Sequence, residues 1–309
     1  MKAAYFERFG GPDVLQYGEL PDPMAAAGEV VVDVHAASIN AADWKFRSGA
    51  YERHSQKKFP LIPGRDFSGV VSAVGQGVTD LKAGDAVFGV LEAGREGTYC
   101  EKIAMTAAII AKKPDALSHV NAAALALTGL TAIDSVDNTL KLKRGETILI
   151  QGGAGGVAGF AIQFAKHIGA RVITTTSAAN RDYVKSLGAD EIIDYNTQDF
   201  TKVVSGCDAV FDTVGGDVAQ KSFAALKPGG RAAFIASGME APKPGRGDVT
   251  SLRPPVGRAR APLERIAKLF QDGAIRAPEV KLYPLSEAAE AHRLSQSRHF
   301  RGKLILKVR

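Results

Sequence analysis

Apolar and polar positions alternate in short runs along the first third of the chain. Glu29 to Ala36, bounded by Gly28, reads as a strand, as do Phe67 to Gly75 and Gly97 to Ala104, and Ala83 to Gly89 reads as a turn into a strand. Their glycine-flanked spacing predicts an antiparallel barrel. From Asn121 the pattern turns helical, with Ala122 to Leu127 in one apolar stretch. An apolar run, Thr147 to Gln151, then leads into glycines. The amphipathic segment Phe160 to Lys166 follows, stopped by Gly169, and a second run spans Arg171 to Ser177. Further runs at Glu191 to Tyr195, Cys207 to Val214 and Arg231 to Ser237 continue the alternation of strand and helix. That order implies a mainly parallel sheet covered on both faces. Residues 239 to 262 are rich in Pro, Gly and Arg and read as a loop, with a short last strand within Val249 to Val256. Leu263 to Gln271 is an amphipathic helix, and Lys303 to Val308 is a strand that must pair with something, the N-terminal barrel being the natural host. The fold class is therefore α/β: a β-barrel domain plus a doubly wound parallel sheet. The domains are expected at residues 1–121, 122–262 and, returning to the first, 263–309.

The glycines between the first two parallel runs carry the chemistry. Gly152, Gly153, Gly155, Gly156 and Val157 stand where a strand turns into a helix. There a missing side chain lets a pyrophosphate approach, and the amides at the helix start hold its charge. The same glycines would also serve a tight turn that only packs a helix on a sheet. The second strand should end near the adenosine ribose, about twenty residues past the glycines. Instead of an acidic residue, which would favour NAD, it carries Thr175, Thr176 and Ser177, followed by Asn180 and Arg181. Small hydroxyls and a cation suit a 2′-phosphate, so NADPH is the expected cofactor. Ser177 is equally good as a helix N-cap, and Arg181 as a solvated charge. Val214, Ser237 and Gly238 lie where later strands end, the edge at which such sheets bind ligands.

Composition narrows the setting. The chain has 309 residues, 45% hydrophobic and 23% charged, with a net charge of +6 scattered along its length. That is no nucleic-acid footprint, and no nucleic-acid partner is expected. No apolar run reaches membrane-span length and the N-terminus lacks a signal core, so a cytoplasmic protein without a membrane partner is expected. The two cysteines, Cys100 and Cys207, are far apart and read as free thiols.

The chain resembles the zinc-free quinone oxidoreductases of the medium-chain dehydrogenase/reductase superfamily, the zeta-crystallin-like branch. The resemblance rests on Ser38 to Asp43, Arg47 to Tyr51, Pro63 to Gly69, Val78 to Asp85, Thr128 to Ala132, Gly152 to Ala158, Leu187 to Asp190 and Arg301 to Lys303, in family order over almost the whole length. It implies a GroES-like barrel, in which both chain ends take part, plus a Rossmann domain, with the active site in the cleft between them. It places Asn40, Tyr51, Thr128 and Thr131 toward the nicotinamide and Tyr195 near the adenosine phosphate. Asn40 would bond the ribose or the substrate carbonyl. Tyr51 is either a hydrogen-bond donor to that carbonyl or a pocket wall. Asp43 reads as a turn cap rather than a base. The zinc-dependent relatives' Gly-His-Glu is here Gly64-Arg65-Asp66. A guanidinium is no zinc ligand, two cysteines cannot form a four-cysteine site, and the six histidines show no ligand spacing. The implied activity is NADPH-dependent hydride transfer to a quinone or an α,β-unsaturated carbonyl. An enoyl-thioester reductase and a non-catalytic NADPH-binding sensor are the alternatives. A homodimer, the family's usual state, is expected.

Overall fold

The computed structural model describes residues 1–50, 58–92, 95, 97–238 and 240–309. Two compact units divide them: residues 1–127, 258–272 and 277–309 form one, residues 128–257 and 273–276 the other.

In the first unit, strands β1 (Lys2–Tyr5) and β2 (Gln16–Glu19) form an antiparallel pair. β3 (Glu29–Ile39) is followed by a short helix, α1 (Ala41–Arg47). β4 (Asp66–Val74), β5 (Ala86–Val90), β6 (Lys102–Thr106) and β7 (Ile110–Lys112) complete the early strands. Helix α2 (His119–Ile133) carries the chain across the division, which falls between Leu127 and Thr128 rather than at residue 121. The helix begins near the expected change of character, but its first turns pack with the early strands. Ala123 and Ala124 share a core with Ala36 and Ile305.

The second unit contains β8 (Thr147–Gln151), α3 (Gly156–Ile168), β9 (Arg171–Thr176), α4 (Arg181–Ser186) and β10 (Glu191–Asp194). Then come α5 (Phe200–Val203), β11 (Cys207–Asp212), α6 (Gly216–Lys221), β12 (Leu226–Phe234) and β13 (Thr250–Leu252). These strands form one parallel sheet in the order β10-β9-β8-β11-β12-β13. This is the doubly wound dinucleotide-binding order, with its switch point between β8 and β11. Ile148, Leu149 and Ile150 of β8 are fully buried, as a central parallel strand requires.

The chain then returns to the first unit through α7 (Arg260–Gln271), β14 (Val280–Pro284), α8 (Ala288–Ser297) and β15 (Lys303–Lys307). The terminal strand does pair with the early strands: β15 runs antiparallel to β3, Leu304 opposite Ile39, in the sheet β14-β15-β3-β4-β5-β7, with β6 also on β3.

The run expected as a strand over residues 97–104 starts late. β6 begins at Lys102. The amides of Gly97 and Tyr99 bond instead to the carbonyls of Gly64 and Pro63, and Cys100 makes only an isolated bridge with Ala3. The loop at 63–64 takes up the backbone groups a sheet would otherwise pair.

Candidate active site

In the second unit the glycine turn is pinned to β9. Gly152 N donates to Thr175 Oγ1 at 3.1 Å and Gly153 N to the Thr175 carbonyl at 2.9 Å. Thr175 Oγ1 donates in turn to Gln151 Oε1 at 2.6 Å. The glycines then separate by role. Gly152 has φ of +78°, which a side chain rarely adopts. A Cβ on Gly153 would lie 2.4 Å from Thr174 Oγ1. A Cβ on Gly155 would meet nothing closer than the Gly152 carbonyl oxygen at 3.4 Å, and its φ is an ordinary −76°. Gly155 is therefore not needed as glycine by the turn or by the packing. Gly155 also caps α3, and Gly156 and Val157 begin it. The amides of that first turn have no intrahelical acceptor. Their dipole end and the open space at Gly155 together suit an anion.

Around this turn lie the ends of the parallel strands. Gln151 is in register with Asp212, and Asp212 with Phe234. Asp212 accepts from the amides of Val214 and Gly215, which turns the chain outward after β11. Beyond β12, Ser237 Oγ is buried with no hydrogen-bond partner among the described residues, and Gly238 has φ of +84°. A buried hydroxyl without a partner at a sheet's ligand edge is a place for a polar ligand group.

The adenosine side is only partly as expected. Thr175 and Thr176 are each 3% exposed, and the Thr175 hydroxyl is engaged in holding the glycine turn. Neither side chain is open to solvent. Ser177 begins a short 3-10 turn, but its hydroxyl accepts from Asn180 Nδ2 at 3.2 Å rather than from a backbone amide, so it is not an N-cap in the usual sense. Arg181 opens α4 on the surface, its guanidinium 3.5 Å from the Ile192 carbonyl. Tyr195 is exposed just past β10, its amide bonded to the Thr176 carbonyl. Thr128 and Thr131 are buried on α2.

In the first unit, the structure assembles a buried polar cluster. Tyr51 lies outside the described residues. Asn40 precedes α1, and its amide donates to Asp43 Oδ2 at 2.8 Å, so Asp43 does close the turn. Asp43 Oδ2 also accepts from the Tyr99 hydroxyl at 2.9 Å. Burial pushes the Asp43 carboxyl up to about 7, against the pull of Arg65, 3.7 Å away. Asp66 is fully buried and accepts from Ser38 Oγ, from Asn40 Nδ2 at 2.7 Å and from the Leu127 amide at 3.2 Å. Burial raises its carboxyl too, opposed chiefly by the nearby Lys303. On the far side of Tyr99, Arg47 Nη1 donates to His292 Nδ1 at 3.0 Å. Arginine can only donate, so the imidazole proton sits on Nε2, facing the Tyr99 hydroxyl at 3.3 Å. Burial, then Arg47, pulls His292 down to about 3.

No group of three His, Cys, Asp or Glu side chains among the described residues is arranged to hold a metal ion. In Gly64-Arg65-Asp66, both Asp66 oxygens are already taken by protein donors. Cys100 and Cys207 are free, buried and pushed up to about 12 and 11 by burial, so neither is a ready thiolate. Among the described residues no donor set fits zinc. No helix among the described residues is long and apolar enough to cross a membrane.

Residues 26–115 match the family of alcohol dehydrogenase GroES-like domains, and residues 187–306 the family of zinc-binding dehydrogenases. The chain is 32% identical to the chloroplast envelope quinone oxidoreductase homolog of Arabidopsis thaliana, an alignment that covers 99% of this chain and 98% of that protein. The chain belongs to the quinone oxidoreductase branch of the medium-chain dehydrogenase/reductase superfamily. As a member of that branch it is an oxidoreductase, with a GroES-like domain and a Rossmann domain. Another similar protein is the chloroplastic NADPH-dependent alkenal/one oxidoreductase of Arabidopsis thaliana, 31% identical over 99% of this chain and 79% of that one. Among solved structures, the Escherichia coli quinone oxidoreductase complexed with NADPH superposes with a TM-score of 0.90 at 29% identity, covering 100% of both chains.

Sequence reasoning missed Tyr99, Arg47, His292 and Lys303 as a set. Arg47 and Lys303 lay in family segments without a role, and nothing local marks His292 as the partner of Arg47.

One consequence of burial is measurable by pH. His119 stacks on His35, with ring centroids 4.3 Å apart, and its Nδ1 lies 2.8 Å from Ser68 Oγ. Burial, then His35 and Lys113, lowers His119 from 6.5 to about 4. Within that window the unfolded chain binds a proton that the folded one refuses. The stability is therefore complete above pH 6.5 and lost as pH falls toward 4. Measured against His119→Gln by urea unfolding, the wild type should lose stability progressively over this window. Parallel profiles would remove His119 from the account.

Proposed function

We propose that this oxidoreductase uses NADPH to transfer hydride to a quinone or to the β-carbon of an α,β-unsaturated carbonyl, without zinc. The observation that carries the reading is the ligand edge of the parallel sheet: an open Gly155 at the start of α3 beside strand ends that include an unpartnered Ser237 hydroxyl. The names of its relatives, a quinone oxidoreductase homolog and an NADPH-dependent alkenal/one oxidoreductase, support the same chemistry.

NADPH, when bound, supplies the hydride. The protein's part is binding and orientation, which is most of what hydride transfer needs. The amides of Gly156 and Val157 hold the pyrophosphate over the open space at Gly155. Ser177, Asn180 and Arg181 meet the adenosine 2′-phosphate, with Tyr195 beside them. Thr128, Thr131, Val214, Ser237 and Gly238 line the nicotinamide end. Asn40 donates to the ribose or to the acceptor's carbonyl oxygen, and Tyr51 is by the resemblance either a donor to that oxygen or a pocket wall. Zinc independence is supported by the arginine in Gly64-Arg65-Asp66 and by the saturated Asp66 carboxylate.

NADPH should be oxidised in the presence of 9,10-phenanthrenequinone or a short enone, faster than NADH. Activity should survive strong chelation, with no stoichiometric zinc by elemental analysis. Loss on chelation, restored by zinc, would overturn the zinc-free reading. Turnover confined to acyl thioesters would make the protein an enoyl-thioester reductase, and no turnover on any acceptor would leave an NADPH-binding sensor.

A further inference from the structure

The Arg301-Gly302-Lys303 triplet has no part in the proposed hydride transfer, yet the local backbone is shaped around it. Gly302 has φ of +68°, and a Cβ there would lie 2.0 Å from the Glu279 carbonyl oxygen, so only glycine fits. Arg301 pairs with Glu279 at the surface, and the Lys303 amide donates to the Glu279 carbonyl at 2.9 Å. The register fixed in this way turns the Lys303 side chain inward, leaving the residue 5% exposed. Its ammonium donates to the Ile39 carbonyl at 2.7 Å and to Asn40 Oδ1 at 2.8 Å.

From the opposite side, Asn40 Nδ2 donates to Asp66 Oδ1 at 2.7 Å. An ammonium can only donate, and the Asp66 oxygens are met by an amide N–H, a hydroxyl and the Asn40 amide. The Asn40 amide therefore has one favourable orientation, oxygen toward Lys303 and nitrogen toward Asp66. A flip would set N–H against the ammonium and C=O against the carboxylate. Asn40 Nδ2 also stands 3.4 Å from the Ser38 carbonyl and 3.5 Å from the Ser38 hydroxyl, long contacts that leave its second hydrogen weakly engaged among the described residues. An amide polarised between two ions is also a stronger donor through that hydrogen.

We propose that Lys303 is a positioning residue: it holds the Asn40 amide so that the second Nδ2 hydrogen is offered to an acceptor oxygen of the cofactor ribose or of the substrate carbonyl. The proposal rests on the reading of Asn40 given under the proposed function. Lys303 touches neither ligand and acts through Asn40.

A kinetic double-mutant cycle tests it. Lys303→Gln should lower kcat/KM roughly 10- to 100-fold, the cost of a misplaced contact group. In the Asn40→Ala background the same change should cost less than about threefold more, because its target is gone. Equal losses in both backgrounds, or no loss in the first, would overturn the proposal. Lys303→Gln strands the Asp66 charge in the interior and threatens the fold. The double variant Lys303→Gln/Asp66→Asn removes both charges and should show the same loss in a folded protein; full activity there would also sink the idea. A readout independent of turnover is the side-chain amide resonance of Asn40, identified by its disappearance in Asn40→Ala. Its two protons should be widely separated in the wild type and converge in Lys303→Gln, and an unchanged pair would refute the positioning role. If the wild type turns over no acceptor, the proposed reaction falls, while the resonance still decides whether Lys303 fixes the amide.

Discussion

Gly155→Val is expected to abolish NADPH binding at working concentrations while leaving the protein folded. The backbone at Gly155 is extended, with φ −76° and ψ 159°, a conformation a β-branched residue adopts without strain. A Cβ there meets only one ordinary contact. The isopropyl group would instead fill the space before the first turn of α3, where the pyrophosphate is proposed to sit. Losing two charge-assisted bonds, each worth about 1.5–3 kcal/mol, weakens binding by roughly 10²- to 10⁴-fold. Replacing glycine by valine at the cap position costs the helix on the order of 1 kcal/mol, which a domain of this size tolerates. Isothermal titration with NADPH, alongside circular dichroism and thermal unfolding, checks both halves. Gly153→Val is the contrasting control. Its Cβ would press on Thr174 Oγ1 inside the sheet, so that variant should lose stability rather than affinity alone. Unchanged NADPH affinity in folded Gly155→Val would remove this turn from the cofactor site.

Arg181→Ala should raise the Michaelis constant for NADPH by roughly 10- to 150-fold, the equivalent of one charge-assisted contact of about 1.5–3 kcal/mol. The constant for NADH should barely move. Turnover at saturation should change little, because the adenosine end is remote from the hydride. The side chain is exposed at the start of α4, and among the described residues it meets a single carbonyl at 3.5 Å, so the fold does not depend on it. Equal weakening toward both cofactors would make Arg181 a structural residue. A wild-type preference for NADH would overturn the 2′-phosphate reading as a whole. Thr175 and Thr176 no longer share the burden of that reading, since both are buried and the Thr175 hydroxyl is engaged by Gly152 and Gln151. Ser177, Asn180 and Arg181 carry it alone.

The parts of this protein that were legible from sequence are those written in local periodicity. The apolar run at 147–151, the glycines and the amphipathic segment after them specify strand, turn and helix within about thirty residues, as a βαβ unit does. The terminal run at 303–308 could be assigned to the early strands because an unpaired strand is costly. Local pattern failed where a neighbour distant in sequence competes for the same groups. The 97–100 segment reads as strand, but the loop at 63–64 takes its amides. Thr175 reads as a ribose neighbour, but Gln151 and Gly152 claim its hydroxyl.

By itself, then, the sequence determined the two kinds of sheet, the position of the glycine turn and the family. Each rests on short-range spacing or on motifs in a fixed order. Tertiary structure alone decided the buried polar cluster. Arg47 meets His292 across 245 residues and Lys303 meets Asn40 across 263. No periodicity links such pairs. A charged residue on its own reads as a solvated surface group, and only folding shows that it is sealed inside opposite a partner able to satisfy it.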